Sequence, residues 1–243
     1  MKKHRNMRHG LISYFKLTIA AAVLLLTAGC NNYQEEVVQT FPNGSPKLAY
    51  LLQGKGDKPL IVGERAYYDN GNTRWEKHFS DGKPAGEWLY NYPSGKPFGK
   101  VSFDDKHPDG YNYQFWSADG KELAPGKTDS VKVEWLDEHI PAGVSYHYGS
   151  ESEVYLFYED YSIRYHGFTL NKQPNGHCTF FYPNGQPQTE AIYADGVLNG
   201  LYTVYRDNGV PYYHGAYIGG KRAGTWEFLD ENGAVAYTKD FDK

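Results

Sequence analysis

The sequence predicts an all-β protein: an antiparallel meander of repeated β-hairpins, each about 24 residues long, that forms an elongated twisted sheet. Two observations predict this fold. Gly176, Gly200 and Gly224 lie 24 residues apart, and an Asn-Gly pair follows each of them at a constant distance. A constant spacing of this length indicates a repeat array, in which each unit buries its apolar side only against its neighbours.

The Asn-Gly pairs are the strongest hairpin signal in the chain, because they lie between segments in which aromatic and polar residues alternate. The pairs are at residues 184–185, 208–209 and 232–233. A two-residue type I′ turn needs positive φ at both central residues, which asparagine and glycine tolerate. We therefore predict a type I′ turn at each Asn-Gly pair, and looser turns at Asp195-Gly196 and Gly219-Gly220.

The same pattern can be placed on the earlier half of the chain. Gly86 leads an aromatic strand, and Asn43-Gly44 and Asn70-Gly71 mark earlier turns. Residues 40–127 are therefore predicted to be N-terminal repeats, and residues 171–243 C-terminal repeats. Residues 128–170 do not keep the spacing, so they are either degenerate repeats of the same sheet or an inserted segment. We favour degenerate repeats, although an insertion is where a specific function would be added.

Residues 1–29 have the composition of a secretory signal peptide. Basic residues precede an apolar run at 17–29, which is too short to span a membrane as a helix. The following LTAGC sequence, residues 26–30, resembles the bacterial lipobox, in which the cysteine becomes the lipidated first residue of the mature protein. The resemblance implies lipidation of Cys30, with residues 30–39 as a polar tether. The alternative is ordinary cleavage near Ala28, which would leave Cys30 as a free thiol.

This N-terminal segment implies a cellular location and limits the possible partners. A lipid-anchored protein belongs in the bacterial cell envelope, at the outer membrane or the cell surface, and contacts the membrane through its anchor only. Removal of residues 1–29 would leave 20 basic residues against 29 acidic residues, a formal charge near −9 with histidine neutral. This negative charge argues against nucleic acid and against anionic lipid surfaces as partners.

One motif in the C-terminal repeats resembles a known family. It runs Tyr217-x-Gly219-x-Lys221-x-x-Gly224-x-Trp226, and it is similar to the repeats of MORN proteins, most closely the bacterial MORN-repeat variants. The resemblance implies an elongated sheet of hairpins that mediates binding. Some of these variants carry the label of antitoxin. The family supplies no catalytic residue that could be carried over to this chain.

The sequence offers few candidates for catalysis. Cys178 could act as a nucleophile with His177 or His166 as its base, but adjacent residues of a strand point to opposite faces, and Cys178 takes the position that Tyr202 and Trp226 fill in later repeats. Three acidic residues near one tryptophan could form a carboxylate pair for glycoside hydrolysis, but a solvated acidic turn explains them better; they are Glu134, Asp137 and Glu138.

The histidines likewise show no spacing that suits a metal ion; those considered are His139, His147, His166 and His177. No phosphate-binding loop, nucleophile elbow or dinucleotide motif is present in the sequence. The sequence therefore predicts a protein that is not an enzyme and that has no cofactor and no metal site. A hydrolase housed in residues 128–170 is the enzymatic alternative.

The 23 tyrosines are the remaining candidates for function. They either form the core of a thin sheet or leave one face open to a partner. The candidate binding residues are Tyr90, Tyr92, Tyr182 and Tyr205. The sequence predicts that such a face binds another macromolecule, namely a protein, as a scaffold or as an immunity protein of the antitoxin kind. The alternative is a glycan-binding surface that uses exposed tyrosines.

Overall fold

The computed structural model describes residues 33–54, 58–123, 126–136 and 140–242. Across these residues the chain forms 17 β-strands and no helix, which confirms the predicted all-β antiparallel meander. Accordingly, the described ranges hold no helix of the length and apolarity that a membrane span requires. The proposed signal peptide and Cys30 lie outside the described residues, as do Asp137, Glu138 and His139.

The strands follow one another along the chain. The first seven are β1 (Gln34–Thr40), β2 (Pro46–Gln53), β3 (Leu60–Tyr67), β4 (Thr73–Ser80), β5 (Lys83–Asn91), β6 (Pro97–Asp104) and β7 (His107–Phe115). The other ten are β8 (Ser130–Trp135), β9 (Pro141–Tyr148), β10 (Glu151–Phe157), β11 (Ile163–Leu170), β12 (Gln173–Phe181), β13 (Pro187–Ala194), β14 (Val197–Tyr205), β15 (Pro211–Ile218), β16 (Lys221–Leu229) and β17 (Val235–Asp240).

The meander is divided into two sheets rather than one. Strands β1–β7 form a seven-stranded sheet and β8–β17 a ten-stranded sheet, and in both every strand pairs with the next strand along the chain. The division falls after Phe115, where the chain makes an isolated bridge between Trp116 and Glu122 and then buries Leu123 in the core. This break allows the second sheet to fold back onto the first.

The two sheets pack together through an aromatic core. The ring of Phe98 on β6 stacks on that of Tyr161, with centroids 4.5 Å apart, and contacts the ring of Phe157 at 4.8 Å. Tyr90 on β5 contacts Trp135 on β8 at 6.3 Å. The cluster of buried residues to which these rings belong includes none from β12–β17 in the described chain. Strands β12–β17 therefore extend beyond the packed region as a single layer.

The predicted type I′ turns at the Asn-Gly pairs are wrong. At residues 182–186 the Tyr182 amide donates to the Gln186 carbonyl (2.8 Å) and the Gly185 amide donates to the Tyr182 carbonyl (2.9 Å), and only Gly185 has positive φ. This is a type I turn closed by a glycine bulge. The two-residue turns with positive φ at both positions are Asp81-Gly82, Asn171-Lys172, Asp195-Gly196 and Gly219-Gly220, so the looser turns predicted at the last two pairs are wrong as well.

Two asparagines of the Asn-Gly pairs make side-chain hydrogen bonds that reach the next repeat. The Asn184 carbonyl oxygen Oδ1 accepts from the Gln186 amide (3.0 Å), and its Nδ2 donates to the Asp207 carbonyl in the next repeat (2.7 Å). Asn70 makes the same pair of bonds, to the Asn72 amide (3.0 Å) and the Pro93 carbonyl (2.8 Å). At these two turns asparagine is favoured by its side-chain hydrogen bonds, since its backbone keeps ordinary φ.

Residues 128–170 continue the sheet as strands β8–β11. The turn at 158–162 lies 24 residues before the turn at 182–186 and has the same hydrogen bonds, from the Tyr158 amide to the Ser162 carbonyl (2.9 Å) and from the Tyr161 amide to the Tyr158 carbonyl (3.0 Å). The 24-residue spacing therefore reaches back to the turn at 158–162, so the interpretation that the segment does not keep the spacing is wrong for its second half. The spacing was hidden because Tyr161, with φ of 69°, stands where the other turns have glycine.

The predicted polar tether over residues 30–39 is wrong for its second part. Residues from Gln34 onward form β1, which pairs antiparallel with β2. The Arg65 guanidinium joins the Glu35 carboxylate to that of Glu76, the latter at 2.6 Å, and the Tyr67 hydroxyl donates to Glu35 at 2.6 Å. These polar contacts hold the first strand to the sheet, which the charged sequence of the strand did not suggest.

Candidate binding surface

One side of strands β12–β17 carries a continuous row of aromatic rings, which we call the aromatic face. The pairing of the strands places these residues on a common side: Tyr213 is opposite Phe228, which is opposite Tyr237. The aromatic face comprises Phe180, Tyr193, Tyr202, Tyr213, Tyr217, Trp226, Phe228, Tyr237 and Phe241. Phe180 is 38% exposed and Tyr237 57% exposed, so the row is open to solvent.

The rings contact one another across the strands. Tyr217 packs its edge against Trp226 at 5.2 Å, and Phe228 and Tyr237 stack at 4.5 Å with planes 6° apart. Trp226 is fully buried among its neighbours although it lies on a single-layer sheet. Its ring lies flat over Gly215, where any Cβ would clash with the indole. Ring-on-ring packing of this kind stabilises a sheet region that has no second layer.

Cations flank the aromatic face near its C-terminal end. The Arg222 guanidinium lies 4.4 Å from the centroid of the Trp226 ring, and the Lys239 ammonium lies 4.8 Å from that of Phe241. Arg206 lies at the end of β14 and donates to the Leu229 carbonyl of the next repeat at 2.7 Å. By strand alternation, the positions that β12–β17 contribute to this face carry no carboxylate and no side-chain amide. The face is therefore apolar and locally positive, on a chain of net negative charge.

The opposite side of the same strands carries a polar row, with the exposed apolar side chains of Leu201, Tyr212 and Ile218 beside it. It continues the side of β8–β10 that packs on the first sheet, because Tyr155 is opposite His166 and His166 is opposite Thr179. The row then runs through Glu190, Thr203, His214, Glu227 and Thr238. The two faces of the single layer therefore differ in chemistry, and the aromatic face points away from the first sheet.

The four tyrosines predicted to bind a partner lie elsewhere. Tyr90 is fully buried and Tyr92 is 4% exposed, both in the core between the sheets, so the expectation that they are exposed is wrong. Their burial follows from the packing of the second sheet on β5 and β6. Tyr182 and Tyr205 are half-buried, and a binding role for them stays a prediction.

Tyr92 and Tyr182 have a structural role that the sequence analysis missed. The Tyr182 hydroxyl donates to the Tyr205 carbonyl at 2.9 Å, and the Tyr92 hydroxyl donates to the Trp116 carbonyl at 2.8 Å. Tyr68 and Tyr158 make the corresponding bonds, to the carbonyls 23 residues further on. Each of these tyrosines ties its turn to the next repeat, and their spacing of 24 residues, 68 to 92 and 158 to 182, was the available signal.

Tyr205 makes a different contact. Its hydroxyl donates to the Glu190 carboxylate at 2.6 Å on the polar face. Burial, together with this carboxylate, raises the pKa of Tyr205 to about 12. The hydroxyl is thus neutral and engaged at neutral pH.

The structure places the catalytic candidates apart. Cys178 is 3% exposed, which confirms it as a small core residue, and burial raises the pKa of its thiol. His166 faces the other side of the sheet, where its Nε2 lies 2.8 Å from the Glu153 carboxylate. Glu134 is exposed on β8 and lies 3.8 Å from the Lys132 ammonium. Within the ranges that the structure covers, no group of three His, Cys, Asp or Glu residues is arranged to hold a metal ion.

These features define a class of protein: an antiparallel β-hairpin repeat protein. Comparison with known families agrees with the class. The family described as MORN repeat variant matches residues 84–105 and 174–195. Each match covers one hairpin with its glycine-bulge turn, β5–β6 in the first sheet and β12–β13 in the second. MORN-type repeats are a non-catalytic kind of repeat and are often involved in binding. A comparison with curated proteins finds no match.

Proposed function

We propose that this chain is a non-enzymatic lipoprotein of the bacterial envelope that binds another protein through its aromatic face. The observation that carries the proposal is the row of half-buried and exposed rings on β12–β17, with Phe180 and Tyr237 open to solvent. Tyrosine, tryptophan and arginine are the residues in which binding energy concentrates at protein interfaces. A scaffold in an envelope complex and an immunity partner of the antitoxin kind both use such a surface.

The chemistry of the face favours a protein over a glycan. Sugar-binding sites need hydrogen-bonding side chains beside the rings, and this face supplies arginine and lysine rather than carboxylates or amides. Arg222 and Lys239 are placed to meet carboxylates at the rim of a partner. The proposed partner therefore has an apolar patch bordered by acidic residues.

The test compares two faces of the same sheet. The full-length protein carries an affinity tag inserted at the exposed Asp105-Lys106 turn of the seven-stranded sheet and is captured from gently solubilised envelopes of its own source. Captured protein and carbohydrate are both quantified. The aromatic-face variant carries Phe180→Ser and Tyr237→Ser, and the matched control carries Leu201→Ser, since Leu201 is 68% exposed on the opposite side.

The proposal expects one protein near equal stoichiometry with the wild type and with Leu201→Ser, and at least a tenfold loss with the aromatic-face variant. Melting temperatures of all three proteins establish that they are folded. Capture of carbohydrate in place of protein would contradict the proposal and indicate that the face binds a glycan. A partner retained equally by both variants would overturn the assignment to the aromatic face.

A further inference from the structure

A cavity of about 630 Å³ opens at the junction of the two sheets, far from the aromatic face in sequence. Its walls come from the β1–β2 turn, the β3–β4 turn, the start of β4 and one residue of the second sheet. The apolar wall includes Phe41, Leu48, Tyr68, Trp75 and Ile140. A cavity of this volume is in the range that accommodates small organic ligands, which often bind where two packed units meet.

The cationic side of the cavity is formed by Arg74 and Lys47. Arg74 lies 5.8 Å from the centroids of the Tyr68 and Tyr161 rings, and one of its terminal nitrogens, Nη2, donates to the Glu159 carbonyl at 2.8 Å. Its Nε makes no hydrogen bond to a described residue but has almost no accessible surface, so the cavity is lined by the rest of the guanidinium and not by this atom.

The other polar groups of the cavity form bonds within the protein. The Tyr68 hydroxyl donates to the Asn91 carbonyl at 2.9 Å and also pairs with Arg74, and the Tyr67 hydroxyl donates to Glu35 at 2.6 Å. Asp69 lies in the exposed β3–β4 turn. Asp160, the residue after Arg74's carbonyl partner Glu159, accepts from the amide and hydroxyl of Ser162 in its own turn, at 3.0 and 2.6 Å.

Neither cation of the cavity is neutralised by an ion pair among the described residues. The salt bridges of this part of the molecule involve Arg65 rather than Arg74 or Lys47. Lys47 is exposed at the mouth, 5.9 Å from the centroid of the Phe41 ring. An anionic group placed between Arg74 and Lys47 would pair with both cations, while an apolar body would lie against the rings.

We propose that this cavity binds a small organic acid, with a planar apolar body against Phe41, Tyr68 and Trp75 and a carboxylate on Arg74. The same chemistry is available from a free aromatic acid and from the C-terminal aromatic residue of a peptide. Charge-assisted hydrogen bonds to a guanidinium are stronger than neutral ones, so the carboxylate contributes most of the selectivity.

The experiment uses three probes and the purified full-length protein carrying Cys30→Ser, so that no lipid requires detergent. Naphthalene-2-carboxylate represents a free acid, N-acetyltryptophan a peptide C-terminus, and 2-naphthamide is the neutral control. Binding is followed by isothermal titration calorimetry with up to 1 mM probe. A dissociation constant of about 1 mM is the weakest binding that we expect of such a site. The variants are Arg74→Gln, Arg74→Lys and Lys47→Gln, with Lys221→Gln as an exposed charge control outside the cavity.

The proposal expects saturable 1:1 binding of at least one acid and at least tenfold weaker binding of 2-naphthamide. Arg74→Gln should weaken acid binding at least tenfold, Arg74→Lys should restore part of it, Lys47→Gln should weaken it by a few fold, and Lys221→Gln should leave it unchanged. The acid that binds with the higher affinity shows whether the site prefers a free aromatic acid or the C-terminus of a peptide.

No saturable binding of either acid, or equal binding of acid and amide, would overturn the proposal. So would unchanged affinity in Arg74→Gln. If Arg74→Gln fails to fold, two measurements still test the proposal. One compares acid and amide binding to the wild type, and the other measures acid binding to Lys47→Gln. These outcomes are separate from those of the aromatic face, which lies on other strands.

Discussion

Tyr161 shows how one residue can take a repeat position for a different physical reason. Glycine closes the corresponding turns because its backbone tolerates positive φ without steric cost. Tyr161 adopts a φ of 69° and is fully buried, with its ring stacked on Phe98 at an interplanar angle of 1°. The strain of the left-handed backbone is offset by the packing of the ring between the two sheets.

We predict that Tyr161→Gly destabilises the protein by roughly 1–4 kcal/mol, although it restores the repeat consensus. Loss of a buried aromatic costs about 3–5 kcal/mol, while relief of the left-handed strain returns about 1–2 kcal/mol. Chemical denaturation of the two proteins measures the difference.

The matched control for Tyr161→Gly is Gly185→Ala, in the same turn of the next repeat. The Gly185 φ is 82° and nothing lies within 4 Å of an added Cβ, so only backbone strain is introduced and the cost should be about 1–2 kcal/mol. A stability gain in Tyr161→Gly would show that the stacked ring contributes less than its backbone strain.

The hairpins alternate between two kinds of turn. Turns at the Asn-Gly pairs have one residue with positive φ and a glycine bulge, whereas the links between repeats, such as Gly219-Gly220, are two-residue turns with positive φ at both positions. The longer turns carry the side-chain hydrogen bonds that join one repeat to the next, such as that from Tyr182 to the Tyr205 carbonyl. The two-residue turns therefore link consecutive repeats through the backbone, and the longer turns join them through side-chain hydrogen bonds.

We predict that Gly219→Asn stabilises the protein by about 0.4–1 kcal/mol. The residue has φ of 57° with nothing within 4 Å of a Cβ, and asparagine tolerates this backbone while restricting the unfolded chain.

By contrast, Gly209→Val introduces a β-branched residue at φ of 82° and should cost roughly 1–2 kcal/mol or more. Thermal melts of both variants test the turn assignments, and a loss of stability in Gly219→Asn would contradict a type I′ turn there.

The two sheets give the molecule a packed part and a single-layer part. Strands β4–β10 share the core around Phe98, whereas β12–β17 depend on ring packing within one layer. The packed part positions the cavity at its edge, and the single layer keeps the aromatic face open. Two surfaces of different chemistry thus arise from one kind of repeat.

The proposed envelope location rests on the N-terminal sequence and predicts the behaviour of one variant. In cells of the source organism, wild-type protein should incorporate a labelled fatty acid and sediment with membranes, because one acyl chain plus the diacylglyceryl group gives stable anchoring. Cys30→Ser should remove the label and release the chain from the membrane fraction.

The control for the Cys30 variant is Cys178→Ser, which leaves the lipobox intact and should keep both the label and the sedimentation of the wild type. Labelling of the Cys30→Ser protein at wild-type level would contradict lipidation at this residue. An unlabelled wild type would favour ordinary signal cleavage near Ala28.

Local signals in the sequence determined the repeat length, the antiparallel meander and the positions of most turns. These features depend on contacts between residues close in the chain, so glycines 24 residues apart and alternating aromatics are sufficient to predict them. The aromatic face was partly visible in the same way, since Tyr193, Tyr217 and Phe241 keep the spacing.

Only the tertiary structure decided which rings are exposed and where the cavity lies. Tyr90 and Phe180 both lie four residues after the leading glycine of their repeat, yet Tyr90 is fully buried and Phe180 is 38% exposed. The difference arises because the chain breaks after Phe115 and packs β8–β10 against β5 and β6. Packing between strands that are far apart in the chain produces no periodic pattern in the sequence. The burial of Tyr90 therefore follows from the tertiary fold and not from the repeat.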